Sequence, residues 1–172
     1  DLWLRMLRAG IVMAKIPEPL YDWVDHSGRA TRTLPAYTPE AFHACRAHHL
    51  ARHLDGRGAI VWGAGRDGRR AARAMLRQGI DLRAFLDIDP RKVGRTAYGR
   101  PILSAEEWLV TRDELLGAGG EESATNSGAT RGAHFVPPIV LAAVGTAGAR
   151  ELIRARLVFA GFREGTDFLC IA

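Results

Sequence analysis

The chain has 172 residues, a formal net charge of +5, 47% apolar and 25% charged residues, the balance of a soluble globular protein with room for one ordinary domain or a short segment plus a compact second unit. No apolar run approaches the roughly 18 residues of a membrane-spanning helix, and Pro138 to Val144 is strand-sized. Lys15 and Lys92 are the only lysines, so arginine carries the positive charge, interleaved with Asp and Glu and without an aromatic ladder for stacked bases. This argues against a nucleic-acid partner, while a basic surface favours an anionic nucleotide or peripheral contact with a membrane face.

The first segment runs from Asp1 to about residue 54. Leu2, Trp3, Met6 and Leu7 alternate with Arg5 and Arg8 at helical spacing, and Gly10 suits the left-handed stop after a helix. This helix opens without a cap or lead-in, which predicts that the sequence joins its first domain part-way through. Ile11 to Ile16 reads as a short strand interrupted by Pro17 and Pro19, Leu20 to Val24 as extended chain, and His26 to Tyr37 as a loop. Thr38-Pro39-Glu40 carries a helix start, with Thr as cap and Pro at the first position, and that helix closes near Asp55-Gly56. His49 and His53 lie i,i+4 on it without a third ligand, and solvated or capping roles are expected for its histidines.

From residue 55 to the end the rhythm changes to alternating strands and helices. Ala59 to Trp62 is an apolar strand, a helix follows to about Gln78, and Leu82 to Leu86 is a second strand. An edge element is expected near Pro101 to Leu103, and Ser104 with Glu107 makes a capping box for a helix to about Leu116. Gly117 to His134 is rich in Gly, Ser, Thr and Ala and is expected to be a flexible insertion. Ile139 to Val144, Gly148 to Ala160 and Phe168 to Ile171 complete a strand, helix and strand. Mostly apolar strands alternating with helices predict an α/β fold, a parallel sheet with helices on both faces. Cys45 and Cys170, far apart in apolar surroundings, are expected to be reduced core residues of a cytoplasmic protein.

The strongest motif is Gly63-Ala64-Gly65-Arg66-Asp67-Gly68, a G-x-G-x-x-G placed directly after a strand and before a helix. Its glycines permit a tight turn, close approach of backbone to a phosphate, and close packing of helix on strand. Free N–H groups and the helix dipole there make an anion site, with Arg66 beside it. Asp87 and Asp89 follow the second strand, where an acid reaches ribose hydroxyls. Gly145, in Gly145-Thr146-Ala147-Gly148, stands where the other wall of a nucleotide crevice belongs. The alternative use of these glycines is packing alone, in a scaffold that docks a partner. Hydride transfer as an NAD(P)-dependent oxidoreductase is a weaker alternative, since Tyr-x-x-x-Lys is missing.

The stretch Asp1-Leu2-Trp3-Leu4-Arg5, then Pro17-Glu18-Pro19-Leu20-Tyr21, then His26 resembles the end of the catalytic domain of bacterial family 2 glycosyltransferases. The resemblance implies that Asp1 lies at or next to the acidic pair that supplies the general base, and that His26 is a late ligand to a divalent metal, Mg or Mn, on the donor diphosphate. It implies a nucleotide-sugar donor and a glycan acceptor as partners. The family's Asp-x-Asp half is not among these residues, so they are expected to be inactive alone. Gly63-Ala64-Gly65, Phe85 to Pro90, Gly94 and Gly99-Arg100-Pro101-Ile102 resemble the Rossmann-like domain appended to some of these transferases and the nucleotide-sugar-binding domain of sugar O-acyltransferases. That implies a bound nucleotide or nucleotide-sugar.

Overall fold

The computed structural model describes residues 1–12, 14–117 and 137–171. The stretch expected to be a flexible insertion lies outside the described residues from position 118 onward. The elements in chain order are α1 (Leu2–Arg8), α2 (Ala30–Thr33), a 3-10 turn (Pro35–Tyr37), α3 (Pro39–Leu54), β1 (Ala59–Trp62), α4 (Arg66–Arg77), β2 (Leu82–Asp87), β3 (Thr96–Ala97), β4 (Arg100–Ser104), α5 (Ala105–Gly117), β5 (Ile139–Ala142), α6 (Ala149–Phe159) and β6 (Phe168–Cys170).

The short apolar strands assemble into one six-stranded sheet in the order β3-β4-β2-β1-β5-β6. β4, β2, β1, β5 and β6 run parallel, and β3 pairs antiparallel with β4. β1 is central, with Val61 opposite both Phe85 of β2 and Leu141 of β5. Period-two alternation, interrupted in β2 by a register shift between Leu82 and Ala84, then divides the core by face. Ala59, Val61, Leu82, Phe85, Ile139 and Leu141 pack on one side, and Ile60, Trp62, Ala84, Leu86, Val140 and Ala142 on the other. All four residues of β1 are buried, as are all four of β5, the pattern of strands covered on both faces. Each large apolar side chain so buried contributes about 1.5–3 kcal/mol.

The first face is covered by α4 through Ala71, Ala72, Ala74 and Met75, and by α3 through Ala47 and Leu54. Three alanines on α4 let its backbone approach the sheet closely. Thr38 caps α3 by accepting from the N–H of Ala41 at 3.2 Å, and Asp55 ends it in the left-handed conformation (φ 46°). Arg46 of α3 donates to the Ile171 carbonyl at 2.9 Å, so this helix, which the sequence places in the first segment, is also pinned to the end of the sheet. The second face is covered by α5 and α6 with Ala105, Ile153 and Leu157, and by Phe162 after α6.

Three expectations change. β4 is not an edge strand: it pairs with β2 on one side and with β3 on the other, the β3–β4 turn being Tyr98-Gly99, both at positive φ (52° and 70°). A two-residue turn of that kind matches the twist of a hairpin, and it adds an antiparallel strand that apolar periodicity does not reveal. The strand expected over Ile11 to Ile16 does not form among the described residues, which are exposed chain without regular structure there. A strand needs a neighbour to satisfy its backbone, and neither end of the sheet reaches this segment. Within the loop expected over His26 to Tyr37, α2 and the 3-10 turn form instead.

Candidate functional site

β1 ends at the centre of the sheet and passes directly into the glycine-rich turn. Gly63 has φ of +113°, and a Cβ there would stand 2.7 Å from Val144 and 3.2 Å from the Ala143 carbonyl. Gly68 lies in the first turn of α4, where a Cβ would fall 1.7 Å from the Gly63 carbonyl oxygen. Both positions therefore exclude any side chain. Gly65 differs: it is the N-cap of α4 in extended conformation, and a Cβ there would meet nothing within 4 Å. Its open side is where a ligand's oxygens could approach the backbone. No side chain caps α4, so its first N–H groups point into that space.

Asp87, the last residue of β2, is buried and holds the turn from beside it. Its Oδ2 accepts from the Ala64 N–H at 2.8 Å and from Lys92 Nζ at 3.1 Å, and its Oδ1 accepts from the Asp89 N–H at 2.9 Å. Burial pushes this carboxyl up, but the backbone bonds from Asp89 and Ala64, with the Lys92 ammonium, outweigh burial and hold it below the ordinary carboxylate value. Asp89 binds back on its own turn, accepting from the N–H and the guanidinium of Arg91 at 3.0 and 3.1 Å. Those bonds hold its carboxyl low as well. Lys92, which sequence reasoning passed over as part of a basic turn, is the cation that balances Asp87.

β5 neighbours β1, and the chain leaves these two strands in turns that lead to helices α4 and α6. The crevice outside their carboxyl ends measures about 400 Å³ and brings together Gly63, Gly65, Arg66, Asp87, Asp89 and Gly145. Gly68 lies beneath it as the packing contact with Gly63. Six of the seven glycines and side chains expected at a nucleotide site thus line one cleft. α6 also starts without a side-chain cap, from Gly148 at φ 76°. Two uncapped helix starts therefore meet at one crevice, where the strand order reverses direction. The fold is Rossmann-like.

The cleft also holds residues that spacing alone did not single out. Ile88 and Leu152 line it while 68% and 69% exposed, two apolar side chains left largely uncovered. Asp67 lies in the first turn of α4, and a Cβ on Gly145 would come 2.6 Å from its Oδ2. Lys92 and Arg156 add positive charge to the lining.

The two residues carried over from the glycosyltransferase resemblance lie elsewhere. Asp1 is exposed, and pairs with Arg5 Nε at 2.8 Å and with His49 Nε2 at 3.0 Å. Asp1, Cys45 and His49 bring one ligand-type atom each within 4.8 Å of one another. His49 is buried, and burial, then Arg8, holds its imidazole below the ordinary value. The i,i+4 pair on α3 that gathers ligand-type atoms is thus Cys45 with His49, whereas His49 with His53 had been singled out by spacing. His26 sits on an exposed loop and belongs to no such group among the described residues. The neighbouring Asp25 is engaged by Arg29 and Arg32.

No family model matches the chain, and no curated protein matches it in sequence. Solved structures resemble it at low identity. UDP-D-quinovosamine 4-dehydrogenase from Vibrio fischeri is 22% identical with a TM-score of 0.46, over 67% of this chain and 78% of that one. RSP, a Rex-family repressor, is 18% identical with a TM-score of 0.42, over 70% of this chain and 56% of that one. RSP in complex with beta-NADH is 17% identical with a TM-score of 0.42, over 72% of this chain and 58% of that one. At such identities the likeness concerns the fold.

Proposed function

We propose that the cleft outside β1 and β5 binds a nucleotide or nucleotide-sugar. The observation that carries this reading is the meeting of two uncapped helix starts at one crevice beside Gly65, whose open side leaves backbone N–H groups free for phosphate oxygens. Ile88 and Leu152 supply apolar surface for a base, and Asp87 and Asp89 line the same cleft at the end of β2, the position from which an acid reaches ribose hydroxyls. The family 2 resemblance of the first segment supports a wider reading: the chain belongs to the carboxyl-terminal part of a nucleotide-sugar-dependent glycosyltransferase of bacterial glycan synthesis, and the Rossmann-like unit handles or senses its donor.

The test is a thermal-shift series on the whole chain with UDP-, GDP- and dTDP-sugars, NAD(H), NADP(H) and coenzyme A. A ligand at 100 times its dissociation constant stabilises the folded state by about 2.7 kcal/mol. A shift confined to one nucleotide-sugar class, and lost in Gly65→Val, supports donor handling. A shift with NAD(H) alone turns the assignment toward a dinucleotide. No shift with any of them favours the second reading, a docking scaffold, which rests on Gly63 and Gly68 being required by packing without any ligand.

A further inference from the structure

Arg66, Arg69, Arg70, Arg73 and Arg77 follow one another along α4 at spacings of three, four, seven and eleven from the first. Residues so spaced share a helix face, here a stripe about 16 Å long at 1.5 Å rise per residue. The structure shows what faces it: all five arginines line a groove of about 490 Å³ whose other walls are the start of α3, with His43, and Tyr98 of the β3–β4 turn. Glu40 is the one carboxylate among the described residues lining it. Arg69 is partly committed, donating to the Ala64 carbonyl at 2.9 Å, and Arg66 lies 3.7 Å from Asp67. Arg73 stands over the Tyr98 ring, 5.9 Å from its centroid, and with Arg70 and Arg77 it makes no ion pair among the described residues.

Like charges three and four apart on a helix repel, so gathering these guanidinium groups in a concavity has a cost that a bound polyanion would relieve. Guanidinium forks pair bidentately with phosphate oxygens. A bilayer surface meets flat or convex faces, whereas this one is walled on both sides. A nucleic-acid strand would need a succession of aromatic faces for its bases, and Tyr98 is the one Phe, Tyr or Trp among the described residues lining the groove. We infer that the groove along α4 is a second anion site, for a soluble molecule carrying at least two phosphates. Its walls are the face of α4 and the start of α3, so it is separate from the nucleotide cleft and shares only Arg66 with it.

Titration calorimetry of the full chain with inorganic tripolyphosphate tests this, beside Arg70→Ala/Arg73→Ala and Gly65→Val. Arg70 and Arg73 are exposed, and Ala is a good helix former, so circular dichroism of the double variant should match the parent. Each phosphate-bonding guanidinium is worth about tenfold in affinity. The expected result is saturable binding that weakens about a hundredfold in the double variant and persists in Gly65→Val. Absence of binding, or binding unchanged in the double variant, overturns the site. Binding lost only in Gly65→Val also overturns it, because the anion then sits in the nucleotide cleft. Capture by phosphatidylglycerol vesicles or a single-stranded oligonucleotide, without tripolyphosphate binding, overturns it in favour of a macromolecular surface.

Discussion

The carboxylate of Asp87 grips the backbone of Ala64: the last residue of β2 accepts the N–H in the middle of the glycine-rich turn, 23 positions earlier, at 2.8 Å. Its remaining bonds reach Asp89 and Lys92, so one side chain joins the glycine-rich turn, β2 and the turn after β2.

Asp87→Asn should therefore loosen the turn as well as remove a charge. Leaving buried donors poorly matched costs about 1–3 kcal/mol, and chemical denaturation near neutral pH should show a loss of that size. The sign of its pH dependence follows from the lowered carboxyl. The stabilisation is complete above the ordinary aspartate value near 3.9 and disappears as the pH falls through the lower folded-state value. The gap between parent and variant should hold from neutrality down to about pH 4 and narrow below it. A gap that stays constant to lower pH would remove the charge from this account.

Gly65 and Gly68 should separate ligand from packing. Gly68→Ala forces a methyl group to within 1.7 Å of the Gly63 carbonyl, and such overpacking costs about 1–3 kcal/mol or more. Its melting temperature should drop sharply. Gly65→Ala meets open space in an ordinary backbone region and should melt within about 0.5 kcal/mol of the parent, while nucleotide affinity falls. Equal losses of stability in both variants would contradict the geometry of the turn.

Asp67 places a negative charge inside the cleft, beside Gly145 and at the start of α4. An acid there favours the helix by about 0.3–1 kcal/mol, yet repels a phosphate approaching the same N–H groups. Asp67→Asn should thus lower stability slightly and tighten diphosphate binding by about tenfold or less. Weaker binding in the variant would mean that Asp67 contacts the ligand itself.

α3 supplies part of the sheet's cover through Ala47, Leu54 and the bond from Arg46 to Ile171. A chain shortened to residues 55–172 should expose that face and melt at a lower temperature and with less cooperativity than one of residues 38–172. Two identical melting curves would show that α3 contributes nothing to the sheet's stability.

The parts that could be read from sequence were those written in neighbouring residues. β1 running into Gly63-Ala64-Gly65, the acid ending β2, and the Thr38 cap of α3 are each local chemistry, and each stands where spacing placed it. Long-range partners were hidden. Lys92 meets Asp87 only because the turn after β2 folds back, and Asp1 meets His49, 48 positions on, only because the first residue comes back onto α3. Ile11 to Ile16 had the composition of a strand and no strand beside it to pair with. The arginine stripe of α4 did lie within reach, since its helical spacing is visible in the sequence. What could not be read was the wall that Tyr98 and α3 raise opposite it.

The sheet has little left to offer another chain. β3, its edge strand on one side, has two residues and ends in the tight Tyr98-Gly99 turn, and β6 on the other side has three. Arg57 from the β1 side donates to the carbonyls of Pro137 and Thr166, which flank β5 and β6. Long unpaired edges are where sheets of separate molecules zip together into aggregates. With edges this short, the long parallel strands among the described residues are interior, and the sequences around Val61, Phe85 and Leu141 lie where intermolecular strand addition cannot reach them.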